Sequence, residues 1–326
     1  MTLKVEVIKI LRSKQEEYVS GEFLSKTFNV SRMAINKCIK NLKQEGFVIE
    51  SSTKKGYKLI EDVKKISKEE LSIYLPKERL KLIEVLEKID STNNYVKLKA
   101  QNGINNGFIA IANEQTKGKG RLGRSFVSLK NKGIYLSICI KINEFAKKLT
   151  NITAFSAVAV CKAIEKTIDI NTEIKWVNDI QINGKKVCGI LTEASIEAES
   201  GVVDFLVVGI GINVNENNND FPLELKNIAT SLQLETNKSI NKNELCANLI
   251  KELDDMVINL TKENNYFEEY KNRCNTIGKN VLVNDFKETK EGFVENLNDD
   301  FSLKIRFNEG EIKNISSGEV RIQKLD

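Results

Sequence analysis

No histidine occurs anywhere in the 326 residues. That absence excludes serine or cysteine nucleophiles activated by imidazole, histidine-ligated zinc and imidazole general bases. Any reaction must run on lysine, arginine, carboxylates, amides and a metal borrowed from elsewhere. Paired cysteines are missing too. Cys38, Cys139, Cys161, Cys188, Cys246 and Cys274 are scattered with no C-x-x-C and no zinc spacing, so the expectation is buried, reduced thiols in a reducing compartment. Long apolar runs are also lacking. Stretches such as 154–163 are too short to cross a bilayer, and no basic-then-apolar leader precedes the first amphipathic segment, so a cytoplasmic chain with no membrane partner is expected.

The length suggests two or three domains, and 41% hydrophobic with 29% charged residues is ordinary for a folded soluble protein. The net charge of +5 is uneven. Through residue 65 there are fourteen Lys or Arg and eight Asp or Glu, a local +6 that leaves the remainder near −1. Such a segment suits a polyanion partner, although a solvated basic face gives the same count.

Leu3, Val7, Ile8, Ile10 and Leu11 recur at helical spacing, and SGEFLSKTFNVSRMAINKCIKNLKQEG then divides into two short helices. Ser20 caps the first, Asn29 and Val30 make the turn, and Ser31 caps the second, with Ile35, Ile39 and Leu42 inward and Gly46 past its end. That is a helix-turn-helix. Arg32, Asn36, Lys37 and Lys40 lie on its outward face, donors suited to phosphates and base edges. FVIESSTKKGYKLI alternates about a Lys-Lys-Gly turn and reads as a wing carrying Lys54 and Lys55. The alternative is a small dimerisation or packing module.

Residues 61–79 are charged and weakly periodic, which places a domain boundary there. Strand candidates follow at 108–112, 134–142, 186–194 and 202–214, with a helix over 150–168, the mixture of an α/β or α+β sheet covered by helices. Within this region KGKGRLGR fits G-x-G-x-x-G at Gly118, Gly120 and Gly123. It neither follows a strand directly nor opens a helix, so it is not a dinucleotide turn, and it lacks the G-x-x-x-x-G-K-[ST] of a phosphate-binding P-loop. What remains is a flexible loop that presents Lys117, Lys119, Arg121 and Arg124 to an anion and can order around it. Its cations suit a carboxylate attacking a phosphoryl centre, a reaction that is mainly positioning and charge neutralisation. DSTNNY at 90–95 sets hydroxyls and amides where a helix begins, fit either for reading a polar heterocycle or for a plain cap. KWVND at 175–179 joins a lysine, the only tryptophan, an amide and a carboxylate, and GIGINV at 209–214 is a strand that permits close backbone approach to a ligand.

In this order, the helix-turn-helix, DSTNNY, EQTKGKGRLGRSF, KWVNDI, KKVCGIL, VVGIGINV and a terminal SGEV resemble the biotin protein ligases, and with the winged helix in front the bifunctional ligase and biotin operon repressor type. The resemblance runs over the whole chain. It implies a multidomain α+β protein: a winged helix-turn-helix DNA-binding domain at 1–62, a mixed α/β catalytic domain of the biotin/lipoate ligase type at 63–273 with 63–79 as linker, and a small Src-homology-like β-barrel at 274–326. It implies that biotin and ATP, with Mg²⁺, form biotinyl-5′-AMP, and that a lysine of the biotin carboxyl carrier protein of acetyl-CoA carboxylase then takes the biotinyl group. Ser91, Thr92, Asn93 and Gln115 would hold the ureido ring, with Gly118, Lys119, Gly120, Arg121, Lys175 and Gly209 also at the biotin. Lys175, Arg121 and Lys119 would be catalytic, Lys119 and Arg121 at the carboxylate and phosphate. Phe126, Asn178 and Asn213 would lie near the adenosine. The adenylate-loaded form would dimerise and bind biotin operator DNA through Ser31, Arg32, Asn36, Lys37, Lys40, Lys54 and Lys55. No resident metal site is expected.

The chain departs from the family at three points: Lys119 where the family has arginine, Phe126 where it has tryptophan, and Val177 where it has proline. Lys119 supplies a point charge in place of a bidentate fork, and Phe126 keeps a stacking face without an indole N–H. Beyond 277, the runs NVLV, EGFVENL, FSLKIRF and EIKNI read as short strands split by glycines. Two rivals stand beside the ligase reading: a lipoate ligase, which shares the fold, and a non-enzymatic regulator that senses a small acid.

Overall fold

The computed structural model describes residues 3–14, 17–44, 46–61, 64–145, 149–196, 202–260, 265–284, 289–308 and 310–323. Its first elements are α1 (Leu3–Ser13), α2 (Gly21–Thr27), α3 (Arg32–Gln44) and a hairpin of β1 (Val48–Ser52) with β2 (Gly56–Glu61). Ser20 Oγ accepts the Phe23 N–H at 3.0 Å and Ser31 Oγ accepts the Ala34 N–H at 3.1 Å, so both helices start on the serines that cap them. Val7, Ile8, Leu11, Leu24, Ile35, Ile39 and Leu42 close a core of their own with Phe47, Ile49 and Leu59 from the wing.

The segment expected to link the first two domains is packed on both sides. It carries α4 (Lys68–Leu71) and α5 (Lys77–Leu80). Ile66, Leu71 and Leu75 enter the central core while Ile73 enters the amino-terminal one. Arg12 spans the joint, giving Glu70 a 2.7 Å ion pair and Tyr74 Oη a 3.1 Å hydrogen bond. Residues 62 and 63, where the expected boundary falls, lie outside the described residues.

The centre is one seven-stranded sheet. Its strands are β3 (Ile83–Leu86), β4 (Ile109–Ala112), β5 (Ile134–Phe145), β6 (Glu173–Lys175), β7 (Asp179–Ile182), β8 (Lys185–Ile196) and β9 (Val202–Ile212), in the order β3-β4-β5-β9-β8-β7-β6. Among the described residues only the β3–β4 strand pair of this sheet runs parallel. The period of two divides the sheet by chemistry. Ile134, Leu136, Ile138, Cys188, Ile190, Leu206, Val208 and Ile210 face the main core, which α7 (Leu149–Thr167) and α9 (Lys242–Asn259) cover. The other face presents Cys139, Phe205 and Val207 to α6 (Thr92–Gln101). Further along that face β9 carries Gly209 and Gly211, opposite Ser137 and Tyr135 on β5 and Leu191 and Gly189 on β8. Gly189, Gly209 and Gly211 leave a hollow beyond the start of α6.

α8 (Leu232–Thr236) follows two short 3-10 turns, and α10 (Tyr266–Arg273) leads to β10 (Asn280–Asn284), β11 (Thr289–Leu297), β12 (Leu303–Phe307), β13 (Ile312–Ile315) and β14 (Glu319–Ile322). These five strands form one antiparallel sheet, β13-β12-β11-β10-β14, and no pairing among the described residues joins β13 to β14. Phe301 anchors it to the centre: its ring lies among Phe155, Phe267 and Tyr270, and its carbonyl accepts the Trp176 indole N–H at 2.8 Å. Burying such a ring is worth roughly 1.5–3 kcal/mol, enough to fix the last sheet against the central one. All six cysteines are buried, and none is in a disulfide.

Candidate active site

The hollow is lined by Ser91, Thr92, Asn93, Gln115, Lys119, Phe126, Gly189, Gly209, Ile210 and Gly211. Glycine is required under it. A Cβ on Gly209 would stand 2.0 Å from Asn93 Oδ1, and one on Gly211 would stand 2.6 Å from the Phe126 ring.

Its wall is a row of oxygens whose hydrogens can be counted. Gln115 Nε2 donates to Ser128 Oγ at 2.9 Å, and the Thr92 backbone N–H, 2.8 Å from Gln115 Oε1, fixes the amide that way round. From Oε1 the row runs to Thr92 Oγ1 at 3.0 Å, on to Ser137 Oγ at 2.7 Å and then to Asn93 Oδ1 at 2.6 Å. Three oxygen–oxygen contacts share two hydroxyl hydrogens, so one contact in the row has no hydrogen of its own. A ligand N–H aimed at that contact supplies the missing hydrogen. Behind the row, Asn93 Nδ2 donates to Glu193 Oε2 at 2.7 Å, while Lys97 pairs with Glu193 Oε1 at 2.5 Å. Burial works to raise the Glu193 carboxyl, but the hydrogen bonds from Lys97 and Asn93 outweigh it and hold it below the ordinary carboxylate range.

The cationic loop crosses the rim. Phe126 N–H donates to the Gly118 carbonyl at 2.9 Å and Gly120 N–H to the Arg124 carbonyl at 2.7 Å, closing a narrow turn with a 3-10 segment at Arg121–Gly123. Lys119 Nζ reaches Asn94 Oδ1 at 2.6 Å on the hollow's edge, and Asn94 Nδ2 donates to Asp90 at 2.7 Å. That last bond holds the Asp90 carboxyl low, against the opposing effect of burial. Arg121 turns away from the oxygen row, donating to Asn178 Oδ1 at 2.9 Å and to the Gly318 carbonyl at 3.3 Å. Arg124 grips both oxygens of Glu319 at 2.8 Å. The SGEV stretch thus meets the loop, a junction the sequence does not announce.

The expected site residues separate into groups. Ser91, Thr92, Asn93, Gln115, Lys119, Phe126 and Gly209 share one lining, with Gly118 and Gly120 beside Lys119. Asn178 is joined to Arg121 and donates to the Ile190 carbonyl at 2.8 Å. Lys175 is half-buried at the end of β6, outside the lining. Asn213 also lies outside it, its amide supporting the Thr230 carbonyl at 3.0 Å. Ser137, Ser128, Glu193 and Gly189 are not singled out by the sequence, and Gly211 enters there only as part of the GIGINV strand. A polar residue inside each of two apolar strands and the two-residue spacing of Gly209 and Gly211 are the signals that mark them.

On the amino-terminal module Arg32, Asn36, Lys37, Lys40, Lys54 and Lys55 are all exposed. Ser31 is occupied in the cap, and Arg32 is held by Glu22 at 2.6 Å. No described helix is long and apolar enough to cross a membrane, and no group of three or more His, Cys, Asp or Glu among the described residues could hold a metal.

Two family models match: the biotin/lipoate A/B protein ligase family over residues 85–213 and an HTH domain over residues 5–58. The chain is 33% identical to the bifunctional ligase/repressor BirA of Bacillus subtilis over 98% of its own length and 99% of that protein. It is 29% identical to the Escherichia coli protein of the same description, over 77% and 75% of the two lengths. The fold superposes on a biotin protein ligase from Aquifex aeolicus, solved with biotin and ATP, at a TM-score of 0.64 and 28% identity, covering 74% of this chain and 99% of that one.

Proposed function

The chain belongs to the bifunctional ligase/repressor members of the biotin protein ligase family, and from that premise we propose how its own residues divide the work. The hollow under the oxygen row takes biotin, its ureido N–H entering the row at the contact that has no hydrogen of its own. This hydrogen-bond deficit is the observation that carries the reading. Biotin's carboxylate attacks the α-phosphorus of MgATP, pyrophosphate leaves, and biotinyl-5′-AMP stays in the site. A deprotonated lysine amine of the biotin carboxyl carrier protein of acetyl-CoA carboxylase then attacks the acyl carbon, and AMP leaves. Mg²⁺ enters with the nucleotide.

Lys119, with Gly118 and Gly120 giving its backbone room, meets the carboxylate; Arg121 and Lys175 balance charge on the phosphate. Phe126, whose ring lies against Gly211, offers a face to the adenine, with Asn178 and Asn213 nearby. The Arg121–Gly318 and Arg124–Glu319 contacts let the last sheet hold the loop down. That sheet is the open form of a Src-homology-like barrel at 274–326, and 63–273 form the catalytic unit.

Residues 1–62 bind biotin operator DNA, α3 entering the major groove with Arg32, Asn36, Lys37 and Lys40 while Lys54 and Lys55 on the wing reach backbone or minor groove. Two loaded chains bind two half-sites as a dimer, so the intermediate reports biotin supply to the biotin biosynthesis genes. The chain works in the cytoplasm. The test mixes the chain with MgATP, carrier protein and either biotin or lipoate. Biotin is expected on a carrier lysine and lipoate is not; transfer of lipoate alone, or of neither, contradicts the reading.

A further inference from the structure

Asn93 has two ways round, and they differ in what the wall of the hollow offers. With Nδ2 toward Ser137, the row would be satisfied within the protein: Asn93 to Ser137, Ser137 to Thr92, Thr92 to Gln115, with one hydrogen for every contact. The structure holds the other orientation, in which Nδ2 faces Glu193 at 2.7 Å and Oδ1 faces Ser137 at 2.6 Å. The carboxylate explains this choice. Glu193 sits on β8 beside the row, paired with Lys97, and a turned Asn93 would set its own carbonyl oxygen against that anion. A hydrogen bond to a charged acceptor is about twice as strong as one between neutral groups, so the bond to Glu193 outweighs the neutral contact that the row forgoes. The Leu191 carbonyl, 3.5 Å from the same Nδ2, favours the same orientation. Gly209 makes it sterically possible, since any Cβ there would meet Asn93 Oδ1.

We propose that Glu193 is a positioning residue for the ligase reaction: acting through Asn93, it keeps the oxygen row one hydrogen short and thereby makes the hollow select a ligand that donates an N–H to it. The inference rests on the biotin reading of the same hollow. Lys97 belongs to the device, because it keeps the carboxylate charged and in place.

The test compares Glu193→Gln, Asn93→Asp and the double variant, each checked for thermal unfolding and then for pyrophosphate release with biotin and MgATP. In Glu193→Gln the new side-chain amide can donate to a turned Asn93, the row closes on itself, and KM for biotin rises about tenfold, equivalent to about 1.4 kcal/mol. The effect falls on KM for biotin rather than on kcat or KM for ATP. Asn93→Asp alone sets two carboxylates together and also raises KM. In the double variant the carboxylate at position 93 has only acceptor oxygens and the amide at position 193 donates to it, so KM returns to within about threefold of the wild-type value, roughly 0.65 kcal/mol. Rescue by this exchange is not what a merely structural role predicts. Unchanged KM in Glu193→Gln, or a double variant no better than the single ones, overturns the proposal. Should Glu193→Gln fail to fold, the double variant is read against wild type, where near-normal KM supports the proposal and a tenfold rise overturns it. A wild-type chain that binds no biotin overturns the biotin reading and this inference together, whereas an active wild type with an indifferent Glu193→Gln overturns this inference alone.

Discussion

Replacing Gly209 by alanine tests the hollow at its floor. The added Cβ would lie 2.0 Å from Asn93 Oδ1, 2.8 Å from its Cγ and 2.9 Å from its Nδ2, so the whole amide is in the way. The strand cannot retreat, because β9 is paired on both sides, to Ser137 of β5 and to Leu191 of β8. Asn93 cannot retreat cheaply either, held by Glu193 and Ser137 and only 5% exposed. Forcing a methyl into such a site costs about 1–3 kcal/mol, and losing one or two hydrogen bonds adds about 0.5–1.5 kcal/mol each. If the strain is relieved by expelling Asn93 from the row, biotin affinity falls by a factor on the order of 10 to 1,000. Isothermal titration with biotin, alongside thermal unfolding, separates this from general destabilisation. A Gly209→Ala chain that folds and binds biotin like wild type would show that the row is not the biotin wall.

Two further outcomes are expected. Arg121→Ala removes the bonds to Asn178 and the Gly318 carbonyl, so biotinyl-5′-AMP should appear in solution and transfer should fall; adenylate retained as in wild type would take the loop out of the mechanism. Glu216, 2% exposed, has its pKa pushed by burial from 4.5 up to about 7, against the backbone N–H groups of Glu216 and Val214 and the attraction of Lys242. Because the folded state then binds the extra proton between those values, stability should fall as pH rises from about 4.5 to about 7 and level off beyond. Glu216→Gln should flatten that fall by on the order of 1–3 kcal/mol; an equal slope in both proteins in urea unfolding would contradict the burial argument.

Much of the amino-terminal module was legible because its cues are local. Ser20 and Ser31 cap helices whose apolar residues keep the helical period, and the Lys-Lys-Gly turn divides two alternating runs. The long strands β5, β8 and β9 were legible as apolar runs. The packing of 64–80 was not, since Ile66, Leu71, Ile73 and Leu75 serve two different cores and so follow no single period. β3, β6 and β7, of three or four residues each, are too short to carry a pattern. At the site, DSTNNY and the loop stood out by composition. Glu193 and Ser137 did not, because what gives them meaning is the cross-strand register that sets each beside Asn93. The joining of Arg124 to Glu319 spans 195 positions, beyond the reach of any local cue.

The most direct measurement is pyrophosphate release when the purified chain meets biotin and MgATP without any carrier protein. A site that makes the mixed anhydride and keeps it should release close to one equivalent per chain in a fast phase and then nearly stop, resuming when carrier is added. Biotin binding with no pyrophosphate would make the chain a sensor rather than a ligase, and steady release without carrier would mean that the loop does not hold what the site makes.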